Sequence, residues 1–253
     1  MKKDILARTK EWELTRTGKF ETTGLDAVDK AFARDINDIF SNAVVVHPSP
    51  GRERYAAFLA RAPEDRVFVG NFDSVIEFLA AVRRAAAGRR SIPKNAPVNR
   101  DALPLINVSR TFDISYDSNE NQRDRYESGT LQGEDNKPIA LVDSTQATLT
   151  YNVTLIAAEK STLSLMCNTL ASAMRWRKAD KFKASDRLVN IEIELDCTIL
   201  DAKAISFTDL SMPATENRIF AAQATLTVMT DLHTAAEVEA RQIRVHTYSD
   251  VRK

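Results

Sequence analysis

The chain has 253 residues, 43% of them hydrophobic, and its 35 basic and 35 acidic side chains cancel. That length suits one large domain or a modest domain with an elaborated terminus, with ample apolar material for a packed core. Neutrality excludes a general polyanion binder, no apolar run approaches the roughly 18–20 residues of a membrane span, and the first ten residues carry three lysines but no apolar secretory stretch, so the expected location is the cytoplasm or an assembly formed there.

Residues 1–92 read as a mainly helical α/β extension. Helices are predicted over 25–40, 52–62 and 72–88, with short β-branched patches at 44–46 and 67–69. In the third helix Val75, Phe78, Leu79 and Val82 share one face, and Gly88 supplies a conventional stop. Residues 93–103, with Pro93, Asn95, Pro97 and Asn99 and with Pro104 just beyond, lack periodicity and read as a linker, which sets the domain boundary.

Residues 104–234 read as an α+β domain. Ile106, Val108, Phe112, Ile114 and Tyr116 mark a first strand, interrupted by Arg110 on what should be its apolar face. Leu149, Tyr151, Val153, Leu155 and Ala157 alternate with Thr148, Thr150, Asn152, Thr154 and Ile156, the period-2 pattern of a half-buried strand. Leu163, Met166, Cys167, Leu170, Ala171 and Met174 then fall on one stripe of a 3.6-residue helix. Ser161 or Thr162 is placed to cap its start, and Arg175, Trp176, Arg177 and Lys178 suit its negative end. Val189, Ile191, Ile193, Leu195, Cys197 and Ile199 alternate with Leu188, Asn190, Glu192, Glu194, Asp196 and Thr198, and a last strand carries Phe220, Ala222, Ala224, Leu226, Val228 and Leu232 on one side. The expected fold is an antiparallel four-stranded sheet with one amphipathic helix packed on it.

The segment 117–143 is polar and of mixed charge, readable as a solvated hairpin loop or as an arm that orders against a neighbouring subunit. Residues 235–253 form a C-terminal tail, helix-favouring at first and then strand-like or strap-like from Ile243 to Val251.

Residues for chemistry are sparse. His47, His233 and His246 each stand alone, so no zinc site is expected, and none of the common nucleotide, phosphate, hydrolase or metalloprotease motifs is present. Seven glycines leave little material for a phosphate cradle. The run from His47 through Pro48, Ser49 and Pro50 to Gly51 reads as a rigid turn, with His47 and Ser49 the only candidates for a small hydrolytic site. Cys167 and Cys197 both lie on apolar faces and read as small core residues. Glu192, Glu194 and Asp196 share one strand face, as an acid/base pair, a cation site or a subunit-facing stripe would; the last reading is the more economical. The basic residues Arg83, Arg84, Arg89 and Arg90, and Arg175, Arg177, Lys178, Lys181 and Lys183 with Trp176 and Phe182, suit helix ends and acidic neighbours better than nucleic acid in a neutral chain.

The order of strand, polar insertion, strand–helix unit at 148–175, acidic-faced strand at 187–206 and return strand opening on Arg218 and Phe220 resembles the tail terminator and tail-completion (neck) proteins of tailed bacteriophages, over residues 103–234. The resemblance implies a virion structural protein and not an enzyme, without cofactor or metal. It implies a homo-oligomeric ring, a hexamer in that family, that caps the tail tube, meets tube and sheath proteins on one side and the neck or head connector on the other, and touches nucleic acid only as DNA passing through. A different neck or baseplate protein built on the same subunit is the alternative. Glu192, Glu194, Asp196, Arg123, Arg125, Arg175 and Arg177 are the candidate subunit-interface residues.

Overall fold

A computed structural model describes residues 12–72, 74–86, 102–116, 129–133, 136–176, 180–213 and 218–242. Along the chain run β1 (Trp12–Thr22), α1 (Asp26–Ser41), α2 (Glu53–Leu59), β2 (Val67–Val69), α3 (Val75–Ala86), β3 (Leu105–Tyr116), β4 (Thr130–Gln132), β5 (Pro138–Ala157), α4 (Lys160–Trp176), β6 (Lys181–Leu188), β7 (Ile191–Ile199), β8 (Thr208–Asp209), β9 (Met212–Pro213) and β10 (Arg218–Gln242).

The spine is the pair β5 and β10, 20 and 25 residues long, antiparallel and in unbroken register from Ala157 opposite Phe220 to Ala140 opposite Glu237. The sheet order is β2-β3-β5-β10-β7-β6, with β4 on β5 and with β1, β8 and β9 on β10; every pairing is antiparallel except that of β2 with β3. The class is α+β, as expected.

Alternation sends Leu149, Tyr151, Val153 and Leu155 of β5 to one face, where they join Ile106 and Val108, Leu226 and Val228, and Leu195, Cys197 and Ile199. α4 seats Leu163, Met166, Leu170 and Met174 on that surface, each burial contributing about 1.5–3 kcal/mol. α1 adds Val28, Phe32, Ile36 and Phe40, and α2 adds Tyr55 and Phe58. On the opposite face α3 covers only one end, packing Val75, Phe78 and Leu79 against Leu105, Ile156 and Ala221.

The sheet also curls. Gly24 N–H donates to Asp186 Oδ2 at 2.8 Å and Val189 N–H to Glu21 Oε2 at 2.9 Å, tying the end of β1 to the hairpin at the far edge. The tip of that hairpin is a two-residue turn, Val189 and Asn190 at φ +51° and +62°, a handedness that matches the twist of the flanking strands. Leu188 then packs beside Ala140, Val142 and Ala235.

Several expectations are corrected. The sheet is larger than four strands and partly parallel, and three helices rather than one cover its main face. The mainly helical N-terminal extension also holds a strand outside the expected patches: residues 12–22 form β1, paired to β10, and α1 and α2 share the main core instead of forming a unit of their own. Residues 44–46 are loop, not strand, because no neighbouring strand offers them hydrogen bonds, and Val44 and Val46 stay exposed. Within 117–143, residues 129–133 hold β4 and residues 136–143 the start of β5; residues 117–128, 134 and 135 lie outside the described residues. The strand read through Leu188 to Ile199 is two strands, β6 and β7, with Val189 in the turn. Residues 235–242 extend β10 where helix was expected, since β1 pairs along them and β5 joins from the other side as far as Glu237, which overrides the local propensity. Phe112 is 83% exposed because the β3–β5 register shifts between Arg110 and Ile114.

Candidate functional site

The interruption at Arg110 has a physical reason. Arg110 Nε donates to Asp29 Oδ1 at 2.8 Å, and Tyr151 Oη donates to the same oxygen at 2.6 Å. This network pins α1 to β3 and β5 from inside, and Phe32 packs over the tyrosine ring with centroids 4.5 Å apart. Burial and the adjacent carboxylate push the Tyr151 phenol far above its ordinary range. It braces the fold: all three side chains are occupied with one another.

The acidic row lies on the β6–β7 hairpin. Glu192, Glu194 and Asp196 project from the outward side of β7, opposite Arg187, Ser185 and Lys183 respectively. Lys183 pairs with Glu194, and Ser185 Oγ donates to Glu192 Oε1 at 2.6 Å. The pairing with Glu194 raises the Lys183 ammonium above its usual range. Lys181 and Lys183, expected to close the helix, therefore belong to a strand, and the hairpin carries a basic stripe beside an acidic one. Arg175 is exposed at the end of α4 with Trp176. Among the described residues no ion pair joins it to the hairpin stripe. Arg123, Arg125 and Arg177 lie outside the described residues.

His47 and Ser49 sit exposed in the loop between α1 and α2, and among the described residues no acidic or basic side chain is bonded to either. Among the described residues no three His, Cys, Asp or Glu side chains converge as a metal site would require, and no helix is long and apolar enough to cross a membrane. Cys197 is buried, its Sγ 3.3 Å from Thr230 Oγ1, whereas Cys167 sits at the flank of the α4 stripe and is half-buried.

Burial raises both thiols, Cys167 from 9.0 to about 11. The folded state thus keeps protons that the unfolded chain has released, the unfolded state binds fewer, and stability falls as pH rises from about 9 toward 11. Urea midpoints should drop across that window, and Cys167→Ala should flatten the drop; a midpoint independent of pH there would refute the assignment.

The feature that sequence reading missed is a cavity of about 240 Å³ under the start of α3, floored by Asn107, Ser109, Asn152, Thr154 and Gln223. These residues come from three strands that only the register brings together: Asn107 opposite Thr154, and Thr154 opposite Gln223. Nothing in their separate sequence contexts marks them as neighbours.

Comparison of the chain with protein-family models and with curated proteins finds no match.

Proposed function

We propose that this chain is a virion structural protein of a tailed bacteriophage, a tail terminator that forms a ring capping the tail tube and sheath and joining the tail to the neck. The observation that carries the reading is the two-stripe hairpin mounted on a stiff helix-on-sheet core. A basic row on β6 beside an acidic row on β7 is complementary to the same pair of rows on another copy displaced by one strand, and such a heterologous contact closes into a ring when its rotation allows. Salt bridges inside one exposed hairpin add little to its own stability, so exchanging them for contacts between copies costs little. A net charge of zero limits repulsion among packed copies. The spine supplies a second docking element, since β5 and β10 continue beyond the helices as a ribbon edged by β1 and β4.

The partners that follow are further copies of the chain, tail tube and sheath subunits on one side and neck proteins on the other, in a virion assembled in the host cytoplasm. Size-exclusion chromatography with light scattering tests the hairpin's part. Wild-type protein is expected to run as a closed oligomer, and the triple substitution Glu192→Lys, Glu194→Lys, Asp196→Lys as a folded monomer. An oligomer unchanged by the substitution would move the contact elsewhere.

A further inference from the structure

The cavity under α3 is lined from β3, β5 and β10 and not from the β6–β7 hairpin, and its chemistry is specific. We propose that it binds a single neutral sugar ring. Asn107 is 6% exposed and its Oδ1 has no hydrogen-bond partner, an arrangement whose desolvation is unfavourable unless something brings a donor to it. Around it stand further neutral polar groups: Ser109 on the same strand, Asn152 and Thr154 on β5 and Gln223 on β10. Thr225 Oγ1 donates to Asn152 Oδ1 at 3.0 Å, which orients that amide with its NH2 as the remaining donor. The opposite wall is apolar, formed by Phe72, Val75, Phe78 and Leu210, with the two phenyl rings 5.3 Å apart at 60°.

This combination selects the ligand class. Among the described residues that line the cavity none is charged, so an ionic ligand would lose its hydration without gaining a counter-charge. A volume of about 240 Å³ falls below the roughly 300–1,000 Å³ of sites for drug-sized molecules, which leaves room for one ring and not for a nucleotide or an oligosaccharide. A pyranose has what the walls ask for: hydroxyl donors and acceptors around its edge for the amide and hydroxyl floor, and a face of C–H groups for the phenyl rings. A bound water alone would satisfy Asn107 but would leave the aromatic wall without a partner.

The test uses the full isotopically labelled chain, titrated in turn with glucose, galactose and N-acetylglucosamine, and with inorganic phosphate and trialanine as controls. At least one sugar is expected to produce saturable shifts of the Asn107, Asn152 and Gln223 side-chain amide signals, and the controls none. Asn107→Leu removes the unpaired acceptor; it is expected to melt no lower than wild type and to bind that sugar about tenfold more weakly or worse. Gln223→Ala, on the third strand of the floor, should weaken binding with the fold intact. The proposal is overturned if no sugar gives saturable shifts, if phosphate or trialanine gives them instead, or if both variants bind as wild type does. None of these results bears on ring formation.

Discussion

Replacing Asp29 by Ala is expected to destabilise the fold by about 3–5 kcal/mol, because it strips the partner from a largely buried guanidinium and from a fully buried phenol at once. The side chains of Arg110 and Asp29 are only 14% and 17% exposed, so water cannot readily replace the lost carboxylate. At about 2–4 °C per kcal/mol for a chain of this length, the melting temperature should fall by roughly 10 °C or more. The penalty comes from stranding the charge rather than from losing the pair. Arg110→Met in the Asp29→Ala background is therefore expected to recover a large part of it, and a double-mutant cycle read by urea denaturation measures that coupling. A melting temperature unmoved by Asp29→Ala would show that the network does not brace α1 to the sheet.

The second large effect concerns the first hundred residues. A chain beginning at residue 103 is expected not to fold, although it contains β3, β5, α4, β7 and β10. It would expose the surface now covered by Val28, Phe32, Ile36, Phe40, Tyr55 and Phe58, none more than 4% exposed in the intact protein. Uncovering six such side chains forfeits on the order of 10 kcal/mol, comparable with the entire 5–15 kcal/mol that holds a typical domain together. It would also leave β10 without β1 along residues 234–242. The single-site version is Phe32→Ala, expected to cost about 3–5 kcal/mol. Circular dichroism and tryptophan fluorescence, with Trp12 on β1 and Trp176 on α4, should then report one shared transition in the intact chain. A cooperative melt from the shortened chain would restore the picture of a separable N-terminal unit.

What could be read from the residues followed from periodicity, and what could not followed from partners distant in the chain. The α4 stripe, the alternation of β5 and β7, and the first part of β10 are local patterns whose buried sides match the expectation almost residue for residue. β1 was missed because it is an exposed edge strand: its charged residues Glu13, Arg16, Lys19 and Glu21 leave little apolar alternation, and Gly18 at φ +87° accompanies a break in its register. β6 was absorbed into a supposed basic helix end, since Lys181, Lys183 and Arg187 alternate with buried Ala184 and Leu188 only once β7 is placed opposite them. Residues 235–242 have helical propensity that pairing with β1, and with β5 as far as Glu237, overrules. Arg110 looked like a fault in a strand until Asp29, 81 positions away, was brought to it. The candidate site divides in the same way. The acidic row was visible as alternation, but the basic row that completes it and the polar floor beneath α3 are products of register.

The most direct test of the assembly reading is negative-stain electron microscopy of the purified protein at rising concentration. Class averages are expected to show a closed ring with a central opening, its copies related by rotation, and the Glu192, Glu194 and Asp196 charge-reversal variant is expected to lose that ring. Single compact particles at every concentration, with no ring even when tail-tube subunits are added, would contradict the assembly reading.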